Sequence, residues 1–226
     1  MSTDHPRSIR SFVIRAGRLT DAQRRALDEL WPRYGIELGT QPLDFDTVFG
    51  RRAPRVVEIG FGNGEHLAAL AARHPERDFL GIEVHPPGIG RLLLALAASD
   101  LRNVRVSGHD AVEVFETQIP SQSLDEVQIL FPDPWPKKRH HKRRLIQPPF
   151  VDCLARRLKP GGLVRLATDW QPYAEQMRQV LGACALLESL APGGFVERSS
   201  DRAPTRFERR GERLGHEIWE LAYRRR

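Results

Sequence analysis

From Pro54 onward the chain alternates between two hydrophobic rhythms. Short apolar runs at Arg55–Ile59, Phe79–Glu83, Val104–Ser107, Leu124–Phe131 and Leu163–Ala167 have the length and bounding turn residues of strands. Between them, apolar positions spaced three or four apart predict helices over Glu65–Arg73, Gly90–Ala98, Ala111–Phe115, Gln147–Leu158 and Tyr173–Leu181. Lys159-Pro160-Gly161-Gly162 reads as the turn into the fifth of these strands. The chain closes with a strand near Ala185–Leu190, a Pro/Gly loop and a last strand over Glu217–Tyr223, a hairpin-like pair. Strand–helix alternation of this kind predicts a parallel sheet covered by helices on both faces.

Upstream the pattern is weaker. Residues 1–19 are polar and basic, an extended or mobile lead-in. Thr20 and Asp21 form a cap pair for a helix whose stripe, Ala22, Ala26, Leu27, Leu30 and Trp31, stops at Pro32. Tyr34 to Pro54 reads as irregular, broken by Gly35, Gly39, Pro42 and Gly50. The expected organisation is therefore residues 1–54 as an N-terminal arm and helix, and 55–226 as one α/β domain.

Composition narrows the function classes. Cys153 and Cys184 have no Cys-x-x-Cys spacing, and the eight histidines form no zinc-type pattern, so neither disulfides nor a metal are expected. No apolar run reaches membrane-spanning length and no signal-type apolar segment opens the chain, which makes the cytoplasm the expected compartment. Lys and Arg exceed Asp and Glu by 35 to 29, and six of those cations fall between Lys137 and Arg144. Outside that strip the charges balance, so the positive field is local and suits a polyanionic partner.

The glycine-rich turn Glu58-Ile59-Gly60-Phe61-Gly62-Asn63-Gly64 joins the first strand of the domain to its helix. Gly60, Gly62 and Gly64 allow a tight turn and close approach of a ligand, but the spacing is not the dinucleotide G-x-G-x-x-G. Glu58 would repel a pyrophosphate and suits a cationic amino group. Glu83 ends the second strand, where an acid can accept from both ribose hydroxyls. Asp110, after the third, can accept from an adenine amino group. Three acids at successive strand ends without a phosphate cradle point to S-adenosylmethionine rather than NAD.

The fourth strand runs into Pro132-Asp133-Pro134-Trp135. Two prolines forbid ladder hydrogen bonds and pin a carboxylate where ligands of open α/β sheets bind. Lys137, Lys138, Arg139, Lys142, Arg143 and Arg144 follow as contacts for RNA phosphates, which position without reading sequence. Asp169 and Glu208 are carboxylates of the kind that can pair with the N1–H and amino group of guanine, though Asp169 taken alone reads as a helix cap.

These pieces resemble the bacterial tRNA (guanine-N7)-methyltransferases. The matching residues are Arg10-Ser11-Phe12-Val13 with Gly17-Arg18-Leu19-Thr20, the turn Glu58–Gly64 and Gly81–His85. They continue through Phe131–His140, Ala167-Thr168-Asp169-Trp170, Thr205–Gly211 and Leu214-Gly215-His216, nearly the whole chain. The resemblance implies a Rossmann-like class I methyltransferase fold, a seven-stranded, mostly parallel sheet with an antiparallel last strand and helices on both faces. It implies S-adenosylmethionine as donor and a guanine of the tRNA variable loop as acceptor. By position, Glu58, Glu83, Asp110 and Asp133 match the family's cofactor contacts, with Asp133 also catalytic. Lys137, Asp169, Thr205, Arg206, Phe207 and Glu208 match its substrate contacts, Arg206 standing where the family often has Lys. Two rivals stand beside this reading. Asp-Pro-x-aromatic is similar to the signature of amino-group methyltransferases acting on adenine or cytosine, and a silent RNA-binding module could share the fold. Monomer and homodimer both remain open.

Overall fold

The computed structural model describes residues 10–13, 17–199, 208, 215 and 217–226. Eight strands form one sheet: β1 (Gly35–Ile36), β2 (Arg55–Ile59), β3 (Asp78–Ile82), β4 (Val104–Ser107), β5 (Leu124–Leu130), β6 (Leu158–Thr168), β7 (Leu187–Ser189) and β8 (Trp219–Arg225). Their order across the sheet is β1-β4-β3-β2-β5-β6-β8-β7. β1 to β6 pair in parallel, and β8 runs antiparallel to both β6 and β7. The expected seven-stranded sheet is thus present with one more edge strand. That strand, β1, lies in the stretch predicted to be irregular and pairs only Gly35 and Ile36 with β4.

Strand β6 also starts earlier than predicted. Leu158 already pairs with Leu124, and the register then slips before Glu126 meets Leu163. Gly161, at φ +82°, absorbs the slip inside what reads in sequence as a turn.

Helices bounded within the described residues are α1 (Asp21–Glu29), α2 (Trp31–Tyr34), α3 (Phe45–Phe49), α4 (Glu65–Arg73), α5 (Pro86–Ala98), α6 (Ala111–Thr117), α7 (Pro148–Arg157) and α8 (Gln171–Ala183). α1 starts on a capping box in which the Thr20 hydroxyl accepts from the Gln23 N–H and the Gln23 side chain accepts from the Thr20 N–H. Pro32 does not end that helix; it sits in the first turn of α2, where its missing N–H costs nothing. α3 was hidden for a similar reason: Asp44 caps it, and it is only five residues long before Gly50 ends it.

Period-two alternation sends neighbouring strand residues to opposite faces. Val56 and Phe79 join Leu67, Leu92 and Leu96 beneath α1, α4 and α5. Val57 and Leu80 join Phe115, Phe150 and Met177 beneath α3, α6, α7 and α8. The two apolar layers hold the sheet rigid, so the loops at its carboxyl edge have fixed starting points.

Candidate active site

A cavity of about 740 Å³ opens at the carboxyl ends of β2, β3, β4 and β5. This is where an open α/β sheet accepts ligands, and the size suits a small cofactor. Gly60, Gly62, Glu83, Asp110 and Asp133 all line it.

Each acquires its place from local chemistry. Gly60 and Gly62 have φ of +75° and +58°, and a Cβ at either would project into open space. Side-chain-free backbone therefore borders the cavity there. The Gly62 N–H donates to Glu83 Oε2 at 2.9 Å, while the Val84 and His85 N–H groups donate to Oε1 at 2.8 and 3.1 Å. Glu83 is thus fixed by three backbone amides from the loops after β2 and β3. Asp110 caps α6, accepting from the Val112 N–H at 3.0 Å. Burial raises its pKa above the ordinary carboxylate value; the Val112 N–H opposes this and the neighbouring Glu113 adds to it.

Asp133 is exposed on the cavity wall between its two prolines. The residues flanking that tripeptide, Phe131 and Trp135, have φ of +53° and +43°. Side chains other than glycine rarely adopt such values, and backbone strain of this kind costs about 1–3 kcal/mol per residue. The Phe131 N–H reaches the Ala167 carbonyl at 2.8 Å, anchoring one end of the turn to β6.

Other predicted residues lie elsewhere. Glu58 is only 3% exposed and takes His66 Nδ1 at 3.0 Å rather than facing the cavity. Gly64 packs α4 on α5, since a Cβ there would meet Leu92 at 2.6 Å. Lys137, Lys138, Arg139 and Lys142 are exposed around a 3-10 turn over Lys138–Arg143. His140 sits edge-on to Trp135 within that turn. Desolvation, followed by the nearby charges of Arg139, Arg143, Lys137 and Lys142, lowers its pKa.

Arg143 and Arg144 depart from the exposed strip. The Arg143 guanidinium lies 4.1 Å from the Trp135 ring centroid and donates to the carbonyls of Arg10 and Phe12 at 3.3 Å. Arg144, expected on the RNA face, is only 3% exposed. Its Nε donates to the Pro134 carbonyl at 2.8 Å, its Nη1 to Gln176 Oε1, and its guanidinium lies over the Tyr173 ring at 4.7 Å.

Asp169 is half-buried after β6. It does not cap α8: the cap position is Trp170, whose N–H donates to the Thr168 hydroxyl at 3.3 Å. Glu208 is 1% exposed and paired with Arg198 at 3.0 Å. Thr205, Arg206 and Phe207 lie outside the described residues.

Sequence reasoning gave two contributors no role at the cavity. Ser11, Phe12 and Val13 line the cavity, and Trp135 Nε1–H donates to the Ser11 carbonyl at 3.0 Å. The basic lead-in gave no periodic signal for this, because backbone carbonyls rather than side chains make the contacts. Gly88, in the first turn of α5, touches the glycine turn so closely that a Cβ would lie 2.1 Å from the Gly62 carbonyl oxygen.

Among the described residues no helix is long and apolar enough to cross a membrane. A family profile described as "Putative methyltransferase" matches residues 52–221. A protein of Nitrosococcus oceani named tRNA (guanine-N(7)-)-methyltransferase is 58% identical over 220 residues, 97% of this chain and 92% of its own. A relative of the same name from Leifsonia xyli is 57% identical over 216 residues, 95% of each chain. The crystal structure of the 16S rRNA methyltransferase KamB shares the fold at a TM-score of 0.57 and 17% identity, covering 82% of this chain and 94% of that one.

Proposed function

The chain belongs to the tRNA (guanine-N(7)-)-methyltransferase family, and from that premise we propose that it methylates N7 of a guanine in the tRNA variable loop, with S-adenosylmethionine as donor. The observation that carries the reading is the convergence of Glu83, Asp110 and Asp133 on one cavity beside backbone that has no side chains.

The residues present fit that donor. Open space beyond Gly60 and Gly62 leaves room for a bound molecule. Glu83, already oriented by three amides, would hold the ribose hydroxyls. Asp110 would accept from the adenine amino group. Glu58, turned towards His66, would need to rotate or act through that pair to meet the amino-acid end. When bound, S-adenosylmethionine supplies an electrophilic methyl group on a cationic sulfur.

Guanine N7 carries an in-plane lone pair and no proton, so the acceptor needs no general base. The protein's task is to align base and donor, and Asp133, on the cavity wall, would do it. Positive charge moves to the guanine ring as the methyl is transferred, and the Asp133 carboxylate stabilises it there. Lys137, Asp169 and the segment Thr205–Glu208 would hold the guanine, while Lys138, Arg139 and Lys142 engage phosphates. tRNA as acceptor puts the reaction in the cytoplasm. An amino-group methyltransferase must dispose of an amine proton; the N7 activity in the relatives' names favours the reading that does not.

A transcript whose variable-loop guanine is replaced by 7-deazaguanine tests the acceptor atom. The expected outcome is unchanged tRNA binding with no methyl transfer. Continued transfer to the deaza base would overturn the assignment.

A further inference from the structure

Arg144 stands in the basic run but is folded away from solvent, at 3% exposure. Burying a guanidinium is costly, so the partners that two of its three nitrogens find, with Nη2 left without one among the described residues, indicate what it does. Nε donates to the Pro134 carbonyl at 2.8 Å, and Nη1 donates to Gln176 Oε1. The plane rests on Tyr173, which is itself fully buried and whose hydroxyl accepts from the Ile146 N–H at 3.2 Å. Burial pushes the Tyr173 phenol up to about 12, so the ring stays protonated beneath the cation. Gln176 Nε2 in turn donates to the Ile146 carbonyl at 3.2 Å. Tyr173 and Gln176 are both on α8, so the bracket ties the Pro-Asp-Pro turn to the helix face behind it.

The turn needs such a tie. Phe131 and Trp135 hold positive φ on either side of Pro132-Asp133-Pro134, and neither proline has an N–H to pin it. The Phe131 N–H fixes the entry on the Ala167 carbonyl. At the exit, the Pro134 carbonyl is the next backbone group after Asp133, and Arg144 is its donor.

Resting on the methyltransferase reading above, we propose that Arg144, seated by Gln176 and Tyr173, is a positioning residue: it fixes the Pro134 carbonyl, and through it Asp133, rather than contacting an RNA phosphate. A displacement of the reacting groups by about 1 Å can cost about 10²-fold in rate.

The test compares R144M and Q176L with the wild-type protein on unmodified tRNA transcript. Three quantities are measured: the single-turnover rate with both substrates saturating, the S-adenosylhomocysteine affinity, and the salt dependence of tRNA binding. Positioning predicts a rate roughly 10–100-fold lower in R144M and a smaller fall of the same kind in Q176L. Both affinities and the salt slope stay at wild-type values. A phosphate contact would do the reverse: tRNA affinity would drop, the slope would flatten by about one, and the saturated rate would hold. That result overturns the proposal. If R144M loses S-adenosylhomocysteine binding and cooperative melting together, Q176L decides, because it leaves the cation in place. An unchanged saturated rate in Q176L sinks the idea, and a lowered one upholds it. Wild-type protein that makes no 7-methylguanosine would instead remove the functional reading, an outcome distinct from either.

Discussion

Asp133 shows how much one residue's neighbours determine. Its sequence context, two prolines at the end of a strand, was enough to mark it as a candidate, because proline chemistry is local. What holds it in place was not legible, since Arg144 belongs to a charge run and only the fold shows that it turns inward. Asp133→Ala is expected to lower the saturated methyl-transfer rate by about 10²–10³-fold while tRNA affinity stays within a factor of a few, as for loss of one preorganised electrostatic group. Single-turnover kinetics and a filter-binding titration check it; an unchanged rate contradicts the role.

Asp110 carries a pH prediction. Burial raises its pKa, so the neutral form gains ground on acidification earlier than for an exposed aspartate. For folding, a raised pKa means the stabilising form is the protonated one, favoured in acid and lost as pH rises through the folded value. For the cofactor the sign is opposite, because a charged Asp110 is the better acceptor for an adenine amino group. S-adenosylhomocysteine affinity should weaken as pH falls through that raised pKa, and Asp110→Asn should flatten this acid limb. Calorimetric titration across the acid range measures it, and parallel profiles for the two proteins would refute it.

At the scale of elements, long periodic segments were legible and short ones were not. α4 runs over Glu65–Arg73 as its apolar spacing predicts, because nine residues give two full turns of pattern. β1 and α3, of two and five residues, carry too little pattern to be read and depend on β4 and the Asp44 cap. The glycine turn was visible from its own residues, but its support from α5 was not. Gly88 lies against the Gly62 carbonyl, and backbone cannot yield as a flexible side chain does. Gly88→Ala should therefore push α5 off the turn, costing about 1–3 kcal/mol of stability as overpacking does. Cofactor affinity should fall with it, since Gly62 also donates to Glu83. Thermal melts with and without S-adenosylhomocysteine test both. A variant with wild-type melting and affinity would show that the contact does not matter.

For the whole molecule, the charge balance marks a candidate nucleic-acid face, and the fold trims it. Of the six cations from Lys137 to Arg144, four are exposed, Arg143 stacks on Trp135, and Arg144 is buried. Counterion release then predicts that this strip contributes about 3–4 to the slope of log K against log salt, not the 5 or so that six phosphate contacts would give. Replacing Lys137, Lys138, Arg139 and Lys142 together by Ala should remove that contribution from the tRNA-binding slope. A slope that does not change would move the RNA face elsewhere on the molecule.

The account as a whole turns on the identity of the product. Unmodified tRNA transcript incubated with the protein and methyl-labelled S-adenosylmethionine, followed by nucleoside analysis and mapping of the labelled position, reads donor, acceptor atom and site at once. The account predicts label in 7-methylguanosine, confined to the variable loop. Label in N6-methyladenosine, N4-methylcytidine or a guanosine outside that loop would contradict it.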